Sequence, residues 1–461
     1  MMKVLLVAHE CPPPYGVFPY GTGYLAAAIR NAGHSVTVFD QADSRCSNAH
    51  LSSLLKSDRS FDFVGMGFQA AYFHTAMETC RVVRTTAPNL PLVLGGSAPS
   101  ASPAYFLQKF DAHCVLAGEA DESAIALVEA LAGEREYDDV PGLCWRQDDQ
   151  IRLNPRGKPP GNLDALPFPA WDLFDMTRYT FPVRRAGVDG FVKSLGILTS
   201  RGCPYACKFC YRMEKGYRAR SVEACLDEIR QLIERYDVRF IAFHDDLFML
   251  NKQRTLAFCE AINRSGLRFN WLCNGRFNIA DREQLRAMKQ AGCVEISYGL
   301  ESGDQKILDE MDKRITVEQM LEVAAMTREE GMLVAVPAMF GLPGETAESL
   351  KKTVDAIIAT TSWHHKRTIR PMQPYPGCPY WHECLRRGLL KDEDDFYTRY
   401  FSSEKWTVNL TDVPDAEFDR HLYDANARLL EEFYGRQLRK DLDMFENVYF
   451  NSSTDGFVPM R

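Results

Sequence analysis

Over roughly the first 135 residues, short apolar runs alternate with stretches of helical period. Val4–Ala8, Val36–Asp40, Phe63–Gly67, Leu92–Leu94 and Cys114–Ala117 are apolar and short enough for strands. Between them, Tyr24–Ala32, Ala76–Thr85 and Ser123–Ala132 place apolar side chains on one helical face. Gly33 stands where a C-cap is expected. Strands buried on both faces read as unbroken apolar runs, so the alternation predicts a parallel, doubly wound, Rossmann-like α/β sheet over residues 1–140. Ligands of such sheets sit beyond the carboxyl ends of the strands.

The alternation stops at residues 141–190, which carry Pro155, Pro159, Pro160, Pro167, Pro169 and Pro182. Proline lacks an N–H for a sheet ladder, so this stretch predicts a linker wrapping between domains rather than a sheet. From 191 to 375 the alternation resumes with longer helices. The expected strands are Gly196–Thr199, Phe240–Phe243, Asn270–Cys273, Glu295–Gly299, Leu333–Phe340 and Thr368–Met372. Ser221 and Asp281 are placed to cap helices, and Glu345–Thr360 is a strongly periodic one. Six βα repeats predict a partial, open (β/α)6 TIM-like barrel, with its chemistry at the carboxyl ends of the strands. Residues 376–461 are mostly helical in pattern, chiefly Asp415–Phe433, and end in a flexible-looking Asn451-Ser-Ser-Thr-Asp-Gly tail.

The chain has 461 residues, 46% of them hydrophobic and 25% charged, a globular composition too long for one ordinary core. A net charge of -8 argues against nonspecific binding to nucleic acid. The apolar run at the N-terminus ends at His9 and Glu10, too short for a signal peptide, and no stretch has the length of a membrane span. Fourteen dispersed cysteines fit a reducing cytoplasm better than a disulfide framework.

Three cysteines change the picture. Arg201-Gly-Cys-Pro-Tyr-Ala-Cys-Lys-Phe-Cys-Tyr211 holds Cys203, Cys207 and Cys210 at gaps of three and two residues. One tight loop can thus offer three thiolates to a cubane iron–sulfur cluster and leave its fourth iron open. A structural zinc site would need a fourth nitrogen or sulfur ligand, and from Tyr211 to Met249 only Cys225 and His244 follow, at no regular spacing. Three ordinary buried thiols are the other alternative.

With aromatic Phe209 before the last cysteine, this loop resembles the signature of radical S-adenosylmethionine (radical SAM) enzymes. The resemblance implies a [4Fe-4S] cluster on Cys203, Cys207 and Cys210. S-adenosylmethionine would chelate the open iron and be cleaved reductively to a 5′-deoxyadenosyl radical. It also implies an external electron donor such as flavodoxin or ferredoxin.

The strand ends of the first domain carry Gly16, Gly65 with Gly67, Gly95 with Gly96, and Gly118. Such glycines are also common in ordinary βα loops. Gly95-Gly-Ser97 and Gly118-Glu-Ala-Asp-Glu-Ser123, with Cys11-Pro-Pro-Pro-Tyr-Gly16, resemble the cobalamin-binding domain that precedes many radical SAM modules. Gly16, Gly67, Gly95, Gly96, Ser97, Gly118 and Glu119 are then the expected cobalamin contacts. The usual Asp-x-His-x-x-Gly after the first strand is missing, since the loop reads His9-Glu-Cys-Pro12. Cobalamin is therefore expected without a lower histidine ligand. His9 as ligand, or a domain that has lost cobalamin, are the alternatives.

Other strand ends offer further candidates. Asp245 and Asp246 are placed to act as acid, base or helix caps. In Ser297-Tyr-Gly-Leu-Glu-Ser302, the resemblance makes Glu301 and Ser302 candidate S-adenosylmethionine contacts; a structural ion pair is the alternative for Glu301. In Phe340-Gly-Leu-Pro-Gly-Glu345 it makes Gly341 an adenine contact, against a plain turn. Tyr375, Tyr380 and Cys378 are candidates for the substrate cavity or for simple packing. His364, His365, Arg367 and Arg370 form a basic stretch that suits an anion or a solvated face. The implied activity is cobalamin-dependent methyl transfer to an unactivated carbon of a small molecule. A non-methylating radical SAM cyclase, rearrangement or oxidation catalyst of the same architecture, and a non-catalytic cobalamin-binding protein, remain open.

Overall fold

The computed structural model describes residues 1–9, 17–43, 45–400 and 407–446. The loop Cys11–Gly16 and the Asn451–Gly456 tail lie outside the described residues, as does the expected contact Gly16.

The N-terminal sheet has seven strands. They are β1 (Lys3–Ala8), β2 (Ser35–Asp40), β3 (Phe63–Gly67), β4 (Leu92–Gly95), β5 (Cys114–Leu116), β6 (Leu143–Gln147) and β7 (Gln150–Leu153). Their order is β2-β1-β3-β4-β5-β6-β7. The first five are parallel, as the apolar runs predict, and β1 is buried almost along its whole length. The helices Tyr20–Asn31, Phe73–Thr86 and Ser123–Leu131 supply apolar faces to it. Gly33 follows the first helix at φ +91°, a left-handed turn that favours glycine.

Residues 141–190 are not only a linker. β6 and β7 form an antiparallel hairpin on β5, so the first sheet runs on to Leu153. Leu143, Cys144 and Trp145 are buried, and the prolines from Pro155 to Pro169 fall after the hairpin, where no ladder needs an N–H. Further on, β8 (Pro182–Arg184) pairs antiparallel with β9 (Phe191–Ile197) and starts the second sheet.

β10 (Ser200–Arg201) and β11 (Arg218–Ala219) pair antiparallel and close the base of the cysteine loop. Then follow β12 (Phe240–Phe243), β13 (Asn270–Gly275), β14 (Cys293–Tyr298) and β15 (Leu333–Ala335). The second sheet has the order β15-β14-β13-β12-β9-β8, a half-barrel whose strands from β9 to β15 are parallel. Ser221 and Asp281 cap their helices, accepting from the N–H of Ala224 at 3.1 Å and of Gln284 at 3.0 Å.

The expected strand Leu333–Phe340 is broken. Only β15 joins the half-barrel, and β16 (Met339–Phe340) pairs separately with β17 (Arg370–Pro371). Pro337 sits at the break and has no N–H to donate, but its carbonyl accepts from Leu300 and Glu301. The last helix runs Asp415–Glu446, well beyond the expected Phe433. Phe418 on its first turns stacks on Phe340 at 4.8 Å, and Asn426 bonds both backbone groups of Ile369, so the helix seals the β16–β17 edge. Among the described residues no helix is long and apolar enough to cross a membrane.

Candidate active site

The carboxyl ends of the two sheets face a shared cavity of about 700 Å³. From the first sheet come Gly21, Tyr24, Leu25, Gln69, Gly96 and Ser97, then Gly118 to Asp121 after β5. From the half-barrel come all three loop cysteines, Phe209, His244, Asp246, Arg276, Glu301 and Lys313.

The cysteine loop is anchored from below. Asp245 is fully buried at the end of β12 and accepts from the Thr199 N–H at 2.6 Å and the Ser200 hydroxyl at 2.7 Å, with the Thr199 hydroxyl as a third donor. Burial raises its pKa, against those donors. Asp245 therefore holds the strand that feeds the loop, while alternation along β12 turns His244 and Asp246 into the cavity. Burial raises the pKa of Asp246 and lowers that of His244, to which the Arg185 charge adds. Both effects favour the neutral form of the His244 imidazole.

The three thiols suit a cluster. Cys210 opens onto the cavity yet lies deep between the domains, and burial pushes its thiol up to about 12. Burial raises Cys203 too. An iron atom would take each as thiolate and release its proton. Arg276, at the end of β13, directs Nη1 at Cys207 Sγ (3.8 Å) while its guanidinium lies 3.8 Å over the Tyr205 ring inside the loop. Among the described residues no three His, Cys, Asp or Glu side chains are gathered tightly enough for one metal ion.

Glu301 lines the cavity with a left-handed backbone at φ +63°, fixed by its N–H to the Pro337 carbonyl and by the Met339 N–H on its own carbonyl. Its carboxylate pairs with Lys313 Nζ at 2.7 Å, and both side chains are at most 10% exposed. The ion pair and the cavity position therefore coexist. Lys313 Nζ also lies 5.5 Å from the Phe209 ring.

Two expected S-adenosylmethionine contacts lie elsewhere. Ser302 is fully buried behind the wall, its hydroxyl shared with Thr353 (3.3 Å) and the Asp304 N–H. Gly341, at φ +117°, gives its N–H to Glu345 at 2.7 Å and lies under the Phe418 ring. Neither is on the cavity wall. Tyr380 and Cys378 are buried in packing; the Cys378 thiol, pushed up to about 11 by burial, caps a helix through the Trp381 N–H. His364 pairs with Glu295 at 2.8 Å, with His365 and Arg367 beside it, also off this wall.

On the first sheet, the expected contacts Gly96, Ser97, Gly118 and Glu119 line the cavity, while the exposed Gly67 and the half-buried Gly95 are not on its wall. At Gly96 (φ +89°) a Cβ would stand 2.6 Å from the Phe68 N, so only glycine fits. A Cβ on Gly21 would enter open space. Gly21, Gly96, Ser97 and Gly118 leave room on this wall for the close approach of a large flat cofactor. His9 packs edge-on to Phe68 and stacks on Tyr72; burial lowers its pKa to about 4. Glu119 is not free, because Arg201 and Arg218 occupy both its oxygens.

Sequence reasoning missed Arg276, Lys313, Asp121, Arg201 and Arg218. Arg276 follows a strand end and was accessible to the same rule that selected Asp245. Lys313 reaches in from a loop with no such signal.

The radical SAM superfamily model matches residues 197–357, and the B12 binding domain model matches residues 13–128. An uncharacterized methyltransferase, PH0819, of Pyrococcus horikoshii is 28% identical, over 85% of this chain and 84% of its own. The anaerobic magnesium-protoporphyrin IX monomethyl ester cyclase of Rubrivivax gelatinosus is 26% identical, over 73% of this chain and 61% of its own. The solved radical S-adenosylmethionine methyltransferase TsrM of Kitasatospora setae, with cobalamin and a [4Fe-4S] cluster bound, superposes with a TM-score of 0.69 at 22% identity. It covers 84% of this chain and 75% of TsrM. The two models fall on the two sheets whose strand ends face one cavity, and the chain belongs to the radical SAM enzymes that carry a B12-binding domain.

Proposed function

We propose that this chain is a cobalamin-dependent radical SAM methyltransferase acting on an unactivated carbon of a small molecule. The observation that carries it is one cavity with the three loop thiols on the half-barrel wall and Gly21, Gly96 and Gly118 on the wall of the B12-binding domain. When bound, the cluster with S-adenosylmethionine supplies a 5′-deoxyadenosyl radical, and cobalamin supplies the methyl group.

The protein's part is to bind, orient and exclude water. Cys203, Cys207 and Cys210 would hold three irons of the cluster. Arg276, Lys313 and Glu301 put charges of both signs beside the loop, suited to the carboxylate and ammonium of the methionine moiety. Gly96, Ser97, Gly21 and Gly118 let backbone approach the cobalamin ring. His244 offers a neutral nitrogen, and Asp246 a carboxyl, to substrate protons. Residues 376–461, which seal the β16–β17 edge, are proposed to shape substrate choice. The electron is proposed to come from a donor of flavodoxin or ferredoxin type in the reducing cytoplasm.

A non-methylating radical reaction is the second reading, favoured by the similarity to a cyclase. Anaerobic reconstitution with iron, sulfide, reductant and S-adenosylmethionine, with and without cobalamin, tests both. Methyl transfer predicts 5′-deoxyadenosine together with S-adenosylhomocysteine when cobalamin is present. Deoxyadenosine alone selects the second reading. No deoxyadenosine from a cluster-loaded protein overturns both.

A further inference from the structure

At the rim of the cavity, two acids of the B12-binding domain meet two arginines of the half-barrel. Glu119 and Asp121 lie in the loop after β5. Arg201 ends β10 and Arg218 begins β11, the strands that close the base of the cysteine loop. Arg201 grips Asp121 with both terminal nitrogens, at 2.6 and 3.1 Å, and reaches Glu119 at 3.1 Å. Arg218 takes both oxygens of Glu119, one at 3.0 Å, and the Pro160 carbonyl at 3.0 Å. None of the four side chains is more than 17% exposed. Arg156 ties the same regions together, donating to the carbonyls of Ser100 and, at 3.1 Å, of Met213 in the cysteine loop.

An exposed pair of this kind would contribute little. Removing four charges from water costs much of what their attraction returns, so a well-packed apolar contact would serve stability as well. What a forked, planar, two-bond contact adds is geometry, because each arginine accepts one placement of its carboxylate and no other. The contact joins the loop that lines the cobalamin side to the hairpin that bears the cluster ligands. Gly118 sits at the same seam, where a Cβ would stand 3.0 Å from the Glu214 carboxylate.

We propose that Glu119, Asp121, Arg201 and Arg218 are positioning residues that set the separation between the cluster and cobalamin. This rests on the function proposed above. Hydrogen abstraction and methyl delivery must reach the same substrate atom, and a misplacement of about 1 Å can cost on the order of 100-fold in rate. Glu119, expected from the sequence to touch cobalamin, is here assigned to the seam.

The test uses the full chain, reconstituted anaerobically with iron, sulfide and hydroxocobalamin and reduced to the paramagnetic cluster and cob(II)alamin. Pulsed electron paramagnetic resonance reads the magnetic coupling between the two centres. Glu119→Gln and Arg218→Gln are expected to keep wild-type iron and cobalamin per chain while the coupling falls at least twofold or its distance distribution broadens. Arg218→Lys keeps the charge but not the fork and should recover only part of it. Unchanged coupling overturns the proposal, and so does loss of cobalamin from Glu119→Gln, which would return that residue to the cofactor. If Arg218→Gln fails to fold or loses iron, Glu119→Gln decides, since it lies outside the hairpin. If the wild-type chain takes up no cobalamin, the proposed function fails, and hydrogen exchange then decides whether the seam sets the spacing of the two walls. Exchange in residues 118–121 and 200–219 should rise together in both variants, and unchanged exchange overturns the seam.

Discussion

The two walls of the cavity are built from different materials. The B12-binding wall offers Gly21, Gly96, Ser97, Gly118 and Ala120 beside Tyr24, Leu25 and Gln69, and its two acids there are bound to arginines across the seam. The half-barrel wall offers thiols, three arginines, a lysine and carboxylates. A large, many-handled ligand is bound well by backbone that lets it approach, and a reacting centre is bound by side chains that carry charge and ligating atoms. The first wall should therefore fail through added bulk, and the second through lost groups.

Cys207→Ala gives the largest effect. Removing one of three thiolates should abolish both cluster assembly and 5′-deoxyadenosine formation, read as iron and sulfide per chain and by nucleoside analysis. Retained turnover would remove Cys207 from the ligand set. Gly96→Val is the counterpart on the other wall. Its Cβ would meet the Phe68 backbone at 2.6 Å and its φ of +89° is unfavourable for a branched side chain, so the loop must shift. Cobalamin affinity is expected to fall at least about tenfold while iron content stays at the wild-type level. Equal loss of both cofactors would show that the walls are not separable.

The contrast also explains what the sequence revealed. The thiols carry their chemistry in spacing alone, so Cys203, Cys207 and Cys210 were legible without a fold. Strand ends located Gly96, Gly118, Asp246 and Glu301, because period and apolar runs place those ends. Ser302 was drawn in by the same rule, yet adjacent residues turn to opposite sides: Ser302 faces Thr353 behind the wall. The β6–β7 hairpin was hidden by its Pro-rich surroundings, although Leu143, Cys144 and Trp145 form an apolar run. Arg201 and Arg218 gave no signal, because their partners lie about 80 to 100 residues earlier in the chain. Pairings of that range are a product of the fold, not of local pattern.

The charged wall should also be costly to disarm. Lys313→Met leaves the Glu301 carboxylate buried without its partner at 2.7 Å. Breaking a buried pair from one side is expected to cost about 3 kcal/mol, measured by urea denaturation of the apoprotein. The double variant Lys313→Met, Glu301→Gln should recover part of that. A loss below about 1 kcal/mol would mean that water from the cavity already screens the pair.

The last expected effect is a difference in how the two regions answer pH. In the half-barrel, the Glu345 carboxyl is raised from 4.5 to about 8, chiefly by burial, with the N–H groups of Gly341 and Leu342 acting against it. Its contribution to stability is complete below about 4.5 and is lost as pH rises through 8, because the folded state must then bury an ionised carboxylate. In the B12-binding domain, His9 is lowered from 6.5 to about 4, chiefly by burial. Its contribution is complete above 6.5 and is lost as pH falls towards 4, because the unfolded chain takes the proton first. Glu345→Gln should therefore flatten the decline of stability between pH 5 and 8, by up to a few kcal/mol, and leave the acid side unchanged. Urea denaturation of wild type and variant at unit pH steps measures this. A stability difference that stays constant over the range would show that Glu345 is ionised in the folded protein, and that its two backbone donors outweigh its burial.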